Sequence, residues 1–125
     1  MTVLADTNAV LAFLLDDRPT ERRMVADWVA EHGALLVTEA VFIEMCWVLS
    51  GGLSVARVQL VQHVRKVLAS SSFSTWDDSL VDMTLQLMER YPNLAPVDCI
   101  LAARAIRGDM VVTFDRHLQR ALQDF

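Results

Sequence analysis

Val3-Leu4-Ala5-Asp6-Thr7-Asn8-Ala9-Val10-Leu11-Ala12-Phe13-Leu14-Leu15 opens on three apolar residues, an acid, and then an apolar run. The first three read as a short buried strand that ends on Asp6, and residues 9–15 as a helix. Working outward, Asp16-Asp17-Arg18-Pro19-Thr20 breaks this helix. Thr20 is placed to cap a second one over 21–32, with Val25, Trp28 and Val29 on one face and Gly33 as its stop. Residues 35–37 form a second strand, and Thr38 caps a helix through residue 49. Gly51-Gly52 interrupts, and Ser54 opens a further helix to about residue 69, completing a helical hairpin. Residues 73–76 are a weak third strand, followed by a helix capped by Asp77 or Asp78 that reaches residue 91. Pro92-Asn93 turns the chain, and Pro96 starts a helix that ends near Gly108. Residues 110–114 are the final strand and 118–122 a short terminal helix. Strands alternating with helices predict an α/β fold: a central, mainly parallel sheet of four to five short strands flanked by helices.

The 125 residues, 54% of them apolar, suffice for one domain over 1–125 and are too few for two ordinary ones. The longest uncharged stretch, 45–56, falls well short of the roughly 20 residues a membrane-spanning helix needs. Asp6 interrupts the opening apolar run with no basic segment before it, unlike a signal peptide, so a cytoplasmic protein without a membrane association is expected. Cys46 and Cys99 sit in apolar helical segments without metal-ligand spacing and read as buried, reduced thiols. A mean hydropathy of +0.33 is high for so small a chain, which points to a protein interface involving helices between residues 21 and 69, where Trp28 and Trp47 lie.

A net charge of -5 argues against gripping nucleic acid by bulk electrostatics. A cluster of acids around a cation resolves the conflict, because the ion reverses the local field. Asp6 and Asp115 each follow a predicted strand directly, which puts both at the carboxyl end of a parallel sheet, where open α/β folds bind their ligands. A helix that returns antiparallel to a strand begins near that same end. Glu44, early in the helix after the second strand, and Asp98, in the first turn of the helix before the last strand, are therefore expected there too. Asp98 alone is equally an anion at a helix N-terminus, and Asp6 or Asp115 alone a turn residue. Glu44 lies in a segment apolar on every face, so burial is expected, and with it a need for a cation, a proton or an arginine such as Arg104. Carboxylate-only ligation selects Mg²⁺ or Mn²⁺ over zinc, and such a cation can activate water against a phosphodiester. Thr113, two residues before Asp115, faces the same side of its strand and supplies a supporting hydroxyl.

The motifs Leu4-Ala5-Asp6-Thr7-Asn8, Thr38-Glu39 through Glu44 to Leu49, Val97-Asp98-Cys99-Ile100-Leu101-Ala102-Ala103 and Val112-Thr113-Phe114-Asp115 come in an order and at intervals that resemble the PIN-domain family. Within it the chain is similar to the VapC-like ribonuclease toxins of type II toxin-antitoxin modules. The resemblance spans nearly the whole chain. It implies Mg²⁺- or Mn²⁺-dependent endoribonuclease activity that leaves a 5′-phosphate and a 3′-hydroxyl. It also implies catalytic, metal-holding positions at Asp6, Glu44, Asp98 and Asp115, with support from Asn8 and Thr113. Homodimerisation and inhibition by a cognate antitoxin protein follow in the same way. Cys99 and Arg104 are less usual in the third motif.

Arg18, Arg22, Arg23 and Arg116 are candidate phosphate contacts on RNA, each weighed against the ordinary fate of a solvated surface arginine. Asp77 reads first as a helix cap rather than a fifth acid. His117 has a weaker claim on the substrate, and the tryptophans read as core or interface rather than base-stacking platforms. Three alternatives stand beside the toxin reading: a housekeeping RNA-processing nuclease, a non-catalytic protein-interaction module, and a phosphoryl-transfer domain with Asp6 as nucleophile. The last expects a second acid where Asn8 stands.

Overall fold

Asp6 adopts an extended backbone and its Oδ1 accepts the Ala9 N–H at 2.8 Å, which starts helix α1 (Thr7–Leu14) earlier than its apolar run. The computed structural model describes residues 1–125, which divide into two compact units, 1–76 and 77–125.

In the first unit α1 leads to α2 (Pro19–His32), β1 (Leu35–Val37), α3 (Glu39–Trp47), a π-helical turn (Val48–Gly52), α4 (Arg57–Ala69) and β2 (Phe73–Thr75). The crossover through α3 and α4 makes β1 and β2 parallel, with Leu35 opposite Phe73, Leu36 opposite Ser74 and Val37 opposite Thr75. On the other side of β1, Leu4 pairs with Leu36 in a single parallel bridge. Leu36 N–H donates to Val3 at 2.8 Å and Ala5 N–H to Leu36 at 2.9 Å. The expected first strand is thus a one-residue pairing. Helix α1 packs against α2, α3 and α4, and α4 packs against β2. Val10, Ala12, Phe42, Met45, Cys46, Leu49, Leu60 and Val64 fill the interior, and Phe13 meets Phe73 edge to face at 5.1 Å.

Three boundaries depart from expectation. Pro19 takes the first position of α2, because its fixed φ suits that place, so Thr20 lies inside the helix and Arg18 precedes it without a side-chain cap. Gly33 ends α2 at φ 85, a conformation glycine adopts without steric cost. Ser54 does not open α4. It holds φ 54 in the connection, and Ala56 precedes the helix. Gly51-Gly52 does not stop α3 outright, because the chain widens through the π turn, with Leu53 N–H reaching back to Val48 at 3.0 Å.

The second unit contains α5 (Asp78–Arg90), α6 (Pro96–Ile106) and α7 (Arg116–Leu122), with α6 packed against both others. Leu80, Val81, Leu85 and Met88 of α5 are buried, as are Cys99, Ile100, Ala102 and Ala103 of α6, the helix it packs against. Residues 110–114, expected as a strand, form none. Met110, Val112 and Phe114 are 96%, 90% and 95% exposed, whereas Val111 and Thr113 are half-buried. The period-two alternation is present, but this unit has no strand for it to pair with. The sheet therefore has two strands and one bridge, where four to five strands were expected. Cys46 and Cys99 are buried and form no disulfide. No helix is long and apolar enough to cross a membrane.

Asp77 is the cap of α5, accepting Leu80 N–H at 3.1 Å, and Arg107 at the end of α6 donates to both of its oxygens, at 2.6 and 3.3 Å. This forked pair, then the Leu80 N–H, lowers the Asp77 pKa from 3.8 to about 2. A depressed carboxylate stabilises the fold fully above its unfolded value and loses that effect as pH falls through its folded one. Asp77→Asn, which can still cap, should therefore melt below the parent at neutral pH, with the difference closing as pH drops from 3.8 to about 2. Paired thermal melts across that range check it, and a constant difference would show that charge is not what Asp77 contributes.

Candidate functional site

Two candidate acids belong to the first unit. Asp6 follows the bridged backbone of Val3 and Ala5 directly and is exposed at the start of α1, with one carboxylate oxygen on Ala9 N–H. It borders an open cleft of about 360 Å³ lined by Val3, Leu4, Ala9, Val25, Trp28 and Leu35. Trp28, expected in core or interface, is 50% exposed here and stacks on His32 at 4.7 Å. Close beyond Asp6, Asn8 Oδ1 accepts from Arg18 at 3.3 Å, which ties that arginine to the start of α1. Arg22 pairs with Asp16 at 3.0 Å and lies over the Phe13 ring. Arg23 is exposed.

Glu44 corrects an expectation. Its helix α3 turns Phe42, Met45 and Cys46 inward and leaves Glu44 and Trp47 exposed, so an all-apolar composition is not all-round burial. Its carboxylate makes no ion pair within the unit, and the buried-charge argument for a partner falls away. Placement is what remains. Thr38 caps α3 by accepting Val41 N–H at 3.3 Å, directly after β1, and Glu44 lies about 7.5 Å along the axis from the first residue of the helix.

The other two acids belong to the second unit, which brings them together. Asp98 is half-buried in the first turn of α6, and Asp115 precedes α7. Burial raises the Asp98 pKa and the negative charge of Asp115 raises it further. A hydrogen bond from Ala95 N–H, the helix-terminus role foreseen for this residue, opposes both. Asp115 Oδ1 accepts Leu118 N–H at 2.9 Å, and Thr113 Oγ1 accepts Asp115 N–H at 3.0 Å. The threonine thus fixes the backbone of the acid rather than its carboxylate. Gln119 in turn donates to the Thr113 carbonyl at 2.9 Å. Arg116 and His117 are exposed on α7.

Neither unit by itself gathers three or more His, Cys, Asp or Glu side chains into a metal-holding cluster. The donor chemistry still fits a hard divalent cation. The acids offer oxygen alone, and Asp98 and Asp115 oppose each other as like charges with no arginine or lysine paired to either. Sequence reasoning missed Trp28 beside Asp6, and it missed Arg90, Tyr91 and Arg120, which line one cleft in the second unit. No motif marks them, since their meeting is a product of packing.

Compared with protein families, the chain matches the model of the PIN domain over residues 3–122. Comparison with curated proteins and with solved structures returns no match.

Because the Asp98 pKa is raised from 3.8, the folded state holds that proton more tightly than the unfolded chain, and stability falls as pH rises through the window above 3.8. Asp98→Asn has no charge to bury and its Oδ1 can still accept Ala95 N–H. In EDTA it should melt above the parent at pH 7 and lose that advantage toward pH 4. A variant that melts below the parent throughout would reduce Asp98 to a helix-terminus anion.

Proposed function

The chain belongs to the PIN-domain family, and on that premise we propose that it is a metal-dependent endoribonuclease, the toxin of a type II toxin-antitoxin pair. PIN domains are in general nucleases that use divalent metal ions. The observation that carries the reading to this chain is the Asp98–Asp115 pair beside the start of α7, in which burial and then the charge of Asp115 raise the Asp98 pKa.

In this reading residues 1–125 act as one domain, and Asp6, Glu44, Asp98 and Asp115 hold Mg²⁺ or Mn²⁺. The cation, when bound, supplies the charge that activates water and stabilises the phosphate oxygens as the phosphodiester opens. The residues around it position. The caps fix Asp6 and Asp115 through one oxygen each, leaving the second oxygen for a ligand. Thr113 sets the backbone of Asp115, and Asn8 steers Arg18 toward the start of α1, where a phosphate would lie. Arg22, Arg23 and Arg116 add further phosphate contacts. The antitoxin and a second copy of the chain are the proposed protein partners, supported by Trp47 at 71% and Trp28 at 50% exposure.

Purified protein given transfer, ribosomal and messenger RNA should cleave with Mg²⁺ or Mn²⁺ and stop in EDTA. Replacing a residue that merely orients a metal ligand costs about 10- to 100-fold, so Asp6→Asn, Glu44→Gln and Asp98→Asn should each cost about a hundredfold or more. Undiminished cleavage in EDTA, or parental rates in all three variants, would overturn the mechanism.

A further inference from the structure

An open cleft of about 430 Å³ in the second unit runs between the turn that ends α5 and one face of α7. Arg90 and Tyr91 line it from the first side. His117 and Arg120 line it from α7, at a spacing that keeps both on one helix face, and Asp124 from the turn that follows. The Arg90 guanidinium lies over the Tyr91 ring at 5.1 Å, and the Tyr91 hydroxyl donates to Asp124 at 2.5 Å. The one acid in the cleft is thereby engaged by a neutral partner. Arg90 and Arg120 are both exposed and neither forms an ion pair. In a chain of net charge -5, two arginines without carboxylates converging on one cleft are a local reversal of sign. The cleft and the candidate acid share one helix, since Asp115 starts α7 and Arg120 lies about 7.5 Å further along its axis.

We propose that this cleft binds the phosphodiester backbone of single-stranded RNA along the helix that Asp115 starts, with Arg90 and Arg120 gripping the phosphates. Tyr91, tethered to Asp124, is the shelf that holds Arg90 in place. Guanidinium groups meet phosphate through two parallel hydrogen bonds, a geometry that survives water at an open site. A protein segment would want an apolar anchor, and this lining exposes no large apolar side chain. The inference rests on the ribonuclease reading and gives an acidic protein a surface for an anionic substrate.

Binding is separated from cleavage by measuring anisotropy of a labelled single-stranded RNA in EDTA over a range of salt. Arg90→Gln with Arg120→Gln should weaken binding about tenfold. It should also make the slope of log affinity on log salt shallower by about 0.7 for each phosphate left without its arginine. Arg90→Lys with Arg120→Lys should keep the parental slope, and Lys66→Gln, on α4 in the other unit, should behave as the parent. If the parent binds and cleaves RNA while the glutamine pair keeps its affinity and slope, the cleft is not the RNA surface and the ribonuclease reading stands. A lysine pair as shallow in slope as the glutamine pair would also overturn the proposal, since charge would not be what acts. A parent that neither binds nor cleaves RNA removes both readings. Preferential, arginine-dependent capture of an oligo-aspartate peptide would assign the cleft to an acidic protein partner instead.

Discussion

A carboxylate that starts a helix is committed on one oxygen and available on the other, and three helices here start in that way. Asp6, Asp77 and Asp115 each hold a backbone N–H three residues on, which satisfies a donor the helix cannot satisfy itself. The cap fixes the acid as firmly as it fixes the helix. For Asp77 the remaining valence goes to Arg107, and the result is structural. For Asp6 and Asp115 no arginine is bound, so the same local device yields an oriented, exposed carboxylate. Whether a capping aspartate is a brace or a ligand thus depends on what meets its second oxygen.

Electrostatics in the second unit pull in opposite directions within a short span. Asp98 and Asp115 accumulate negative charge at one end of α6 and α7, where burial and then the charge of Asp115 raise the Asp98 pKa. Along α7 the sign changes to that of Arg120, with Arg90 across from it. A chain of net charge -5 need not be uniformly hostile to phosphate. What matters is where the excess is concentrated and what neutralises it.

The parts of the fold legible in the sequence are those set by local chemistry. The caps at Thr38 and Asp77, the stop at Gly33 and the strand at residues 35–37 depend on neighbours a few residues away, and each appears where the residues direct. Residues 110–114 carry the alternation of a strand, but a strand needs a ladder partner that no local pattern supplies. Glu44 is the same lesson for a helix. Composition announced an apolar α3, and packing decided which side of it would be covered. The candidate acids were legible because their motifs are short and ordered along the chain. Arg90 and Arg120 were not, since thirty residues separate them and only the docking of α7 unites them.

The π turn at Val48–Gly52 has a consequence for how this chain can vary in length. Each such turn is an α-helix that has absorbed an additional residue without unwinding, here with two glycines at its close and Ser50 Oγ donating to the Cys46 carbonyl at 2.7 Å. One residue corresponds to about 100° of helical rotation. A relative lacking either Gly51 or Gly52 could therefore close the turn into ordinary helix and leave Cys46 and Leu49 seated as before, shifting only the exposed connection to α4. The hairpin is a place where the fold can take up the gain or loss of a residue without disturbing the interior.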